Sequence, residues 1–315
     1  MNINICYIII PIFNEELNIL PLIEELSHKV IRLVDNIQFK ILFIDDGSTD
    51  NTLEIIKTNK FPIAIQYIQL TRNFGHQNAI RAGMSKVFLD KNIDFLIVMD
   101  GDLQHPAELL NEMIKHWRNG IDIVNTQRIE TEINFKMLLS KLFYKIHNAI
   151  SPIKLIPGCA DFRLISKKGI EALKKYNEHD FFFRGIIQQI GLSQLIIPYR
   201  VNKRLNGSTK YSIKKMLLLA ISGITSFSNT PLYMSLILAG GLALLAILYF
   251  VYVVYIKFFL LTTVTGWPSL MLSILILGSA QLFVLGIIGI YVGKIFNEVK
   301  KRPQFLINNE IEKLP

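Results

Sequence analysis

The sequence has very few cysteines and no sign of an export signal. Its 315 residues include only two cysteines, Cys6 and Cys159, which cannot build a disulfide framework and stand in no metal-binding spacing. The amino-terminal residues contain an apolar run without the basic segment or the small-residue cleavage site of a signal peptide, so we predict none. Both absences favour a reduced, cytosolic environment for the polar part of the chain.

Charged residues are also scarce, but only in the last third of the chain. Between Met216 and Gly293 the only formally charged side chain is Lys257. The whole chain is 51% hydrophobic and has a mean hydropathy of +0.36, which is too apolar for an ordinary soluble protein. The sequence therefore predicts a polar globular block followed by a membrane block.

The net charge of +9 is concentrated beside the apolar segments. Residues 1–202 contain 23 Lys and Arg against 22 Asp and Glu, residues 203–215 contain five basic and no acidic residues, and the tail from Lys294 contains five basic against three acidic residues. A nucleic-acid-binding protein would carry its basic surface on the folded block, so no nucleic-acid partner is expected. The basic flanks favour contact with anionic lipid head groups instead.

Two long segments have the length and composition of membrane spans. Leu232–Ile256 and Pro268–Val292 each have 25 residues without a charge, more than the roughly 20 needed to cross about 30 Å of hydrocarbon. Buried core helices are the alternative, but the length of the segments and the glycines inside them favour lipid. The same glycines would permit packing between the protomers of a homo-oligomer.

The flanks of the two predicted spans are basic, and this predicts the orientation in the membrane. Lys and Arg precede and follow the pair, whereas the connecting loop offers Lys257 alone. By the positive-inside rule, both ends lie in the cytoplasm, so we predict an integral protein of the cytoplasmic (inner) membrane. The predicted parts are a cytosolic globular domain at 1–211, an interfacial juxtamembrane helix at 212–231, transmembrane helices at 232–256 and 268–292, and a cytosolic tail at 293–315.

Apolar, β-rich runs alternate with helical patterns over about the first 128 residues. The predicted strands are Ile5–Ile10, Lys40–Ile44, Ile63–Leu70, Phe95–Met99 and Ile121–Thr126, and the predicted helices lie near 15–34, 50–58, 75–90 and 106–118. This alternation is typical of an α/β fold with a mostly parallel sheet and helices on both faces. Ligands of such sheets bind beyond the carboxyl ends of the strands.

Acidic residues follow three of the predicted strands at that edge. They are Glu15 after the first, Asp45, Asp46 and Asp50 after the second, and Asp100 and Asp102 after the fourth. Asp50, like the nearby Asn14, could equally cap the helix that follows it. Asp100 and Asp102 stand one residue apart, so their charges repel each other unless a cation or a proton lies between them. Oxygen ligands favour Mg²⁺ or Mn²⁺ over Zn²⁺, and such metals usually bridge phosphate oxygens.

Six short motifs follow one another along the chain. They are Pro11-x-x-Asn14-Glu15, Asp45-Asp46-Gly47-Ser48-x-Asp50, Arg72-Asn73-Phe74-Gly75, Asp100-x-Asp102-Leu103-Gln104-His105-Pro106, Asp161-Phe162-Arg163 and Arg204-x-x-Gly207-x-Thr209-Lys210-Tyr211. In this combination the chain resembles the family 2 glycosyltransferases of GT-A fold, and among them the membrane-bound polyprenyl-phosphate glycosyltransferases, such as the bactoprenol glucosyltransferases and the dolichol-phosphate mannose synthases. The resemblance covers essentially the whole chain and departs at Thr209, where the family usually has serine. It implies an α/β, GT-A type nucleotide-sugar-binding domain followed by two transmembrane helices.

The resemblance also implies an activity and a set of site residues. The implied reaction is the inverting transfer of a single sugar from a nucleotide-diphosphate sugar, with UDP-glucose favoured, to undecaprenyl or another polyprenyl phosphate. The implied donor contacts are Pro11, Asn14, Glu15, Asp46, Arg72 and Asp100. The implied cofactor is Mg²⁺ or Mn²⁺, with Asp100, Asp102 and Gln104 around it, because a divalent cation stabilises charge on the leaving diphosphate. The implied catalytic residues are Asp102, Asp161, Arg204 and Lys210.

Basic residues stand between the globular block and the first predicted span. A polyprenyl phosphate carries its phosphate at the level of the head groups, so a basic gate is expected between the cytosolic pocket and the lipid. Arg204 and Lys210 occupy that place in the sequence. Lys214 and Lys215 fit equally well as a collar of snorkelling side chains at the membrane edge.

Two assignments stay open at the level of the sequence. Asp161 could be held in an ion pair with Arg163 or Arg184, or it could lie near the acceptor. We favour a positioning role for it, because a phosphate monoester with a second pKa of about 6 needs no strong base at neutral pH. His76 and His105 fit polar histidines at helix starts better than metal ligands.

The overall function also has alternatives. A membrane-tethered, nucleotide-sugar-binding subunit without turnover would use the same fold, since a fold by itself does not prove chemistry. A transferase that uses GDP-mannose or another nucleotide sugar is the second alternative, because pocket side chains rather than motifs select the sugar. The intact set of acidic and basic motif residues favours an active enzyme.

Overall fold

An eight-stranded sheet with helices on both faces forms the globular part of the protein. The structure, a computed structural model, describes residues 3–61, 63–129, 135–179, 181–202, 223–255 and 266–313. The strands are β1 (Asn4–Ile12), β2 (Ile37–Asp45), β3 (Ala64–Leu70), β4 (Phe95–Val98), β5 (Ile123–Arg128), β6 (Cys159–Ser166), β7 (Gln194–Tyr199) and β8 (Ile307–Lys313). The helices are α1 (Ile19–Leu26), which continues as a π-helical turn over Ser27–Ile31, α2 (Thr52–Thr58), α3 (His76–Val87), α4 (Leu109–Arg118), α5 (Phe135–Ile150), α6 (Lys167–Leu173) and α7 (Phe183–Gln189).

The strand order is β7-β5-β6-β4-β1-β2-β3-β8, and the sheet is mixed. The pairs β1–β2, β1–β4, β2–β3 and β5–β7 are parallel, whereas β4–β6, β5–β6 and β3–β8 are antiparallel. The predicted α/β class is confirmed, and the five strands and four helices predicted up to residue 128 are found with shifted bounds. The sheet is mostly parallel, as predicted: only β6 and β8, which come from later parts of the chain, run opposite to the other strands.

The direction of β6 positions the candidate site. β6 runs antiparallel to β4, and Val98, the last residue of β4, pairs with Arg163 in the middle of β6. The first residues of β6 therefore lie at the carboxyl edge of β4, the edge that carries Asp100. This arrangement brings Asp161 to the acidic strand ends, although the two carboxylates are far apart in the sequence.

The central strands are buried on both faces, which explains their nearly continuous apolar sequences. Ile8 and Ile10 of β1 belong to the core under α1 and α4. Ile9 belongs to the core on the opposite face, under α3, α6 and α7. Gly83 of α3 allows this close packing, since a Cβ at that position would lie 2.5 Å from Cγ2 of Ile9.

Two long apolar helices follow the globular part. Thr230–Tyr255 has 26 residues and Trp267–Lys300 has 34, and most of their large apolar side chains are exposed. Both are long and apolar enough to cross a membrane, and they are candidate membrane spans by length and composition. The second helix extends beyond the predicted end of the span at Val292.

The end of the chain returns to the sheet. β8 pairs antiparallel with β3, and the N–H of Thr71 donates to the carbonyl of Leu306 at 2.9 Å. Glu298, near the end of the second long helix, accepts a hydrogen bond from the N–H of His179 at 2.8 Å. The residues predicted as a separate cytosolic tail thus include an edge strand of the globular domain, so both ends of the pair of long helices connect to the same domain.

Candidate active site

The loops after β1 and β2 interlock at the carboxyl edge of the sheet. The side-chain oxygen of Asn14 accepts a hydrogen bond from the backbone N–H of Thr49 at 2.8 Å. The backbone N–H of Asn14 donates to Oγ of Ser48 at 2.9 Å. The N–H of Glu15 donates to Oγ1 of Thr52 at 2.8 Å. Asn14 adopts a φ of 53°, a left-handed conformation that asparagine tolerates better than most residues. The predicted donor-binding loop is therefore held rigidly against its neighbour.

The two alternative helix caps behave differently. Asp50 accepts a hydrogen bond from the N–H of Thr52 at 3.0 Å, at the first residue of α2. Asn14 does not cap α1, because Asn18 precedes that helix. Asp50 therefore holds the first turn of α2 from the residue before its N-cap, Asn51, while Asn14 joins the two loops. Pro11, the remaining residue of this motif, lies inside β1 opposite Ile44 of β2.

Asp46 organises the turn that leads into α3. Its two carboxylate oxygens accept hydrogen bonds from the N–H groups of Phe74 at 2.7 Å and Gly75 at 2.9 Å. Burial raises the pKa of Asp46, and these two hydrogen bonds partly oppose the rise. The guanidinium of Arg72 stacks on the ring of Phe74 at 4.0 Å. Gly47 is required beside this turn, since a Cβ there would lie 2.6 Å from the carbonyl carbon of Arg72.

Asp100, after the end of β4, is surrounded by basic side chains. Nε2 of His76 lies 3.5 Å from Oδ1, and Nε2 of His105 and a guanidinium nitrogen of Arg128 lie 3.5 Å and 3.8 Å from Oδ2. Burial would raise the pKa of Asp100, but the charges of His105, His76 and Arg128 outweigh it and lower the pKa. Three basic side chains thus surround the carboxylate beside which the sequence predicts a cation.

Asp102 and Gln104 stand in a tight turn after Asp100. Oδ1 of Asp102 accepts a hydrogen bond from the N–H of Gln104 at 3.2 Å, and Leu103 between them has a φ of 61°. The carbonyl of Gln104 accepts a hydrogen bond from the N–H of Asn202 at 3.1 Å. This bond brings the chain that leaves β7 to the Asp100–Gln104 turn.

The donor set of this turn fits a hard divalent metal that arrives with a ligand. Oδ1 of Asp100 is buried and accepts no hydrogen bond from the described residues. Asp102 and Gln104 add further oxygen atoms, which Mg²⁺ and Mn²⁺ prefer. Among the described residues, no three or more His, Cys, Asp and Glu side chains form a metal-binding group. Phosphate oxygens and water would therefore have to complete the coordination.

Asp161 is the most strongly paired carboxylate of the site. Arg184 donates to its two oxygens, each at 3.0 Å, and Arg163 lies 3.5 Å from Oδ1. Burial would raise the pKa of Asp161, but Arg184, His76 and Arg163 outweigh it and hold the pKa well below its usual range. Of the alternatives left open by the sequence, the structure shows the ion pair, and it involves both arginines.

His76 joins the two carboxylates. Its Nε2 lies 3.5 Å from Oδ1 of Asp100 and 3.5 Å from Oδ2 of Asp161. Burial lowers the pKa of His76, but the hydrogen bond with Asp161 and the charge of Asp100 raise it overall. His76 begins α3 as predicted. Its position between two carboxylates, however, is a tertiary feature that a helix-start interpretation does not predict.

His105 is a buried aromatic rather than a polar residue at the rim. It is 1% exposed and stacks on Phe162 with ring centroids 4.6 Å apart. Its Nδ1 accepts the N–H of Asp100 at 3.2 Å, so the neutral ring carries its proton on Nε2, which faces the carboxylate. Burial lowers the pKa of His105, and the charge of Asp100 partly opposes this.

Arg128 belongs to the site but is absent from the predicted set. It is the last residue of β5, and its Nε donates to the hydroxyl of Tyr199, at the end of β7, at 3.2 Å. An arginine just after the predicted strand Ile121–Thr126, at the edge that carries the acidic residues, is the sequence signal that could have identified it. Tyr199 has no comparable signal, since its role depends on β7 pairing with β5.

Part of the predicted site lies outside the described residues. Arg204 and Lys210, the predicted gate for the acceptor phosphate, fall in this part, as does Thr209. The described chain reaches Asn202, which is bonded to Gln104. Of the predicted residues, Asp100 and Asp161 are brought together through His76, and Asp46 joins this cluster through the turn that precedes His76.

Known proteins resemble this chain over most of its length. The family model described as "Glycosyl transferase family 2" matches residues 7–174. The uncharacterized glycosyltransferase YkcC of Bacillus subtilis (strain 168) is 36% identical over 307 residues, covering 95% of this chain and 92% of that protein. The bactoprenol glucosyl transferase of Shigella phage SfV is 34% identical over 313 residues, covering 97% of this chain and 99% of that protein.

The likeness to solved structures is weaker. Glucosyl-3-phosphoglycerate synthase from Mycobacterium tuberculosis, in complex with Mn²⁺, UDP and phosphoglyceric acid, has a TM-score of 0.48 and 16% sequence identity. The match covers 70% of this chain and 76% of that chain. A likeness at this level transfers neither a ligand nor a mechanism to this chain.

Proposed function

Because this chain belongs to glycosyl transferase family 2, we propose that it transfers a single glucose from UDP-glucose to a polyprenyl phosphate, with inversion at the anomeric carbon. The chain is a glycosyltransferase, and relatives named bactoprenol glucosyl transferase support a lipid carrier as the acceptor. The observation that carries the proposal is the cluster of Asp100, His76, Asp161 and Arg184 at one edge of the sheet.

The donor side of the site has to bind a diphosphate and stabilise its departure. A Mg²⁺ or Mn²⁺ ion near Asp100, Asp102 and Gln104 would neutralise part of the charge that grows on the leaving nucleoside diphosphate. Arg128 lies on the same side and supplies a fixed positive charge next to Asp100. The interlocked loops at Asn14 and the turn held by Asp46 supply a rigid surface for the nucleoside.

The acceptor side has to present a phosphate oxygen to the anomeric carbon. That oxygen attacks from the face opposite the diphosphate, the bond from the anomeric carbon to the diphosphate oxygen breaks, and the nucleoside diphosphate leaves with the electron pair. No proton has to be removed, because a phosphate monoester with a second pKa of about 6 is mostly ionised at pH 7. Asp161 therefore acts by fixing Arg184, and the pair contributes positive charge and orientation rather than a base.

The two long apolar helices would place this chemistry at the membrane. We propose that both cross the cytoplasmic membrane and that the globular domain lies in the cytosol, where nucleotide sugars are found. The basic flanks of the helices support this orientation. The connection of β8 to β3 supports it as well, because the residues before and after the helical pair belong to one domain.

Purified full-length protein tests the reaction directly. It should be incubated with undecaprenyl phosphate, Mg²⁺ or Mn²⁺ and a panel of nucleotide sugars, and the lipid products should be separated and identified. We expect a glucosylated lipid phosphate of inverted anomeric configuration from UDP-glucose. Product from GDP-mannose alone would refute the choice of sugar, and binding of nucleotide sugar without any lipid product would favour a binding subunit.

The predicted gate has a separate test. If Arg204 and Lys210 hold phosphate oxygens during attack, Lys210→Ala should lower transfer to a short-chain polyprenyl phosphate in detergent by roughly a hundredfold to a thousandfold. Lys215→Ala removes the same charge a few residues away and serves as the matched control. Equal activity of the two variants would refute the gate, and the acceptor phosphate would then have to be held elsewhere.

A further inference from the structure

The side chain of Gln77, in the first turn of α3, is bonded to two parts of the site at once. Its Nε2 donates to Oδ2 of Asp161 at 3.3 Å, and its Oε1 accepts the backbone N–H of Phe183 at 3.2 Å. Only this orientation of the amide satisfies both partners, since a carboxylate accepts and an N–H donates. Phe183 is the first residue of α7, and Arg184 follows it. One side chain therefore contacts the carboxylate of the Asp161–Arg184 pair and also the helix that carries its guanidinium.

Arg184 is the member of this group that a substrate can reach. Its side chain is 34% exposed, whereas the side chains of Asp161 and Arg163 are 3% and 0% exposed. Asp161 uses Nε and Nη2 of Arg184, so Nη1 is the guanidinium nitrogen that this pair leaves for a ligand. Guanidinium groups bind phosphate oxygens through directed N–H bonds. The position of this guanidinium therefore decides where an acceptor phosphate is held.

The start of α7 depends on Gln77 for a hydrogen bond. The N–H groups of the first helical turn have no acceptor within their own helix. The side chain of Phe182, the N-cap residue of α7, provides none either. The amide oxygen of Gln77 supplies this acceptor from another helix. Because α7 has only seven residues, few bonds of its own hold it in place, and an external bond at its start should matter for the position of Arg184.

The first turn of α3 is also fixed from the side of the sugar donor. Asp46 accepts the N–H groups of Phe74 and Gly75. Nδ2 of Asn78 donates to the carbonyl of Phe74 at 2.9 Å, and the N–H of Asn78 donates to the carbonyl of Gly75 at 3.0 Å. The turn held by Asp46 and the start of α3 thus form one hydrogen-bonded unit. Gln77 belongs to this unit and connects it to Asp161 and α7.

We propose that Gln77 is a positioning residue that sets the place of Arg184 relative to the bound sugar donor. It holds the guanidinium through Asp161 and the start of α7 through the N–H of Phe183, while its own helix is tied to the turn at Asp46. The distance between the attacking phosphate oxygen and the anomeric carbon then depends on this amide, and a misplacement of about 1 Å is enough to slow a reaction strongly. The inference rests on the proposed transfer to a lipid phosphate.

Gln77→Met tests this inference. Methionine has nearly the length and the helix propensity of glutamine, but its thioether cannot replace either hydrogen bond. Transfer to a short-chain polyprenyl phosphate is measured with the purified full-length protein in detergent, and binding of UDP with Mn²⁺ is measured by calorimetry. We expect kcat/KM for the acceptor to fall roughly tenfold to a hundredfold. The Kd for UDP should stay unchanged, because the turn at Asp46 keeps its own hydrogen bonds.

Gln189→Met is the matched control. Gln189 is exposed and is the last residue of the same helix, α7, so this variant should match wild type in both measurements. Equal kcat/KM for the acceptor in the two variants would overturn the proposal. If Gln77→Met loses affinity for UDP as strongly as it loses acceptor efficiency, the proposal is overturned as well, because the effect is then a general disturbance of the site.

Hydrogen exchange measures the contact without any reaction. In peptides that contain the start of α7, the amide of Phe183 should exchange about tenfold faster in Gln77→Met than in Gln189→Met, which is the scale of losing one hydrogen bond. Unchanged exchange of this amide would overturn the proposal whether or not the protein transfers a sugar. If the wild-type protein makes no glycolipid, the proposed function itself fails; if it is active and the two variants are equally active, only the role of Gln77 fails.

Discussion

Arg184 holds Asp161 through two parallel hydrogen bonds, from Nε to Oδ1 and from Nη2 to Oδ2, each at 3.0 Å. Such a bidentate pair fixes the plane of the guanidinium as well as its charge. Arg163, which is fully buried, stands 3.5 Å from the same carboxylate. Two arginines therefore share the carboxylate of Asp161, and the stability of the site depends on this carboxylate.

Asp161→Asn should destabilise the protein strongly. Removing one partner of a buried ion pair leaves charge uncompensated, so we expect the free energy of unfolding to fall by on the order of 3 kcal/mol. Denaturant titration of the full chain in detergent measures this. Glu171→Gln, which breaks the exposed pair with Lys174, serves as control and should cause no measurable change. Unchanged stability of Asp161→Asn would contradict the pairing.

The fall of kcat/KM at low pH should reflect protonation of the acceptor phosphate and not of Asp161. A carboxyl with a lowered pKa stabilises the fold above its unfolded pKa of about 3.9, and this stability is lost only as the pH falls through the lower folded value. Asp161, whose pKa lies well below its usual range, therefore stays ionised where the acceptor phosphate gains its second proton, near pH 6. We expect kcat/KM to fall below about pH 6, and a phosphonate acceptor with a higher second pKa should shift this fall to higher pH. If kcat/KM falls at the same pH with both acceptors, the group that titrates belongs to the protein.

Asp46→Ala should weaken donor binding. Without the carboxylate, the N–H groups of Phe74 and Gly75 lose their acceptors and the turn before His76 is no longer fixed. A hydrogen bond to a charged group contributes about 1.5–3 kcal/mol, so we expect the KM for the nucleotide sugar to rise by about tenfold to a hundredfold. Steady-state kinetics at saturating acceptor measures this.

Asp90→Ala is the control for the Asp46 variant. Asp90 also accepts hydrogen bonds from the protein, from the hydroxyl of Tyr7 at 2.9 Å, the ammonium of Lys40 at 3.2 Å and the N–H of Asn92 at 2.9 Å. Its loss should lower stability but leave the KM for the donor unchanged. If both variants raise that KM equally, the effect of Asp46 is general destabilisation rather than local order.

Chelation of divalent metal should abolish transfer, and Mg²⁺ or Mn²⁺ should restore it. Asp102→Asn should lose at least roughly a hundredfold in turnover, which is the scale of losing one strong electrostatic contact in the transition state. Calorimetry of UDP binding gives a readout apart from activity, since Mn²⁺ should tighten UDP binding to the wild-type protein but not to Asp102→Asn. Asp35 is exposed and precedes β2, at the end of the sheet away from the site. Asp35→Asn should therefore match wild type in activity and in UDP binding. Full activity in excess EDTA would refute a metal.

The two ends of the helical pair should be accessible from the same side of the membrane. Asn308 is exposed on β8, which pairs with β3, so Asn308→Cys should be labelled only from the cytosolic side. Thr262→Cys, in the connection between the helices, should be labelled only from the opposite side. Impermeant maleimide on sealed vesicles of known orientation measures both. Labelling of the two positions from one side would exclude a pair of spans.

The sequence alone determined the features that depend on local pattern. Alternating apolar and helical runs predict the strands from β1 to β5, since neighbouring residues decide which face of a strand or helix is buried. Two uncharged runs of 25 residues identify the candidate spans, because hydrocarbon excludes charge over a fixed length. Acidic residues after β1, β2 and β4 identify the edge that carries the site, because parallel strands end at the same edge.

Only the tertiary structure decided which side chains meet at that edge. Asp161 reaches His76 and Asp100 because β6 runs antiparallel to β4, and Arg128 reaches Asp100 because β5 ends at the same edge. The return of β8 to β3 likewise joins residues that two long helices separate in the sequence. Strand direction and pairing across such distances follow from which unpaired edges and apolar faces the whole chain can satisfy at once, and no local pattern contains that information.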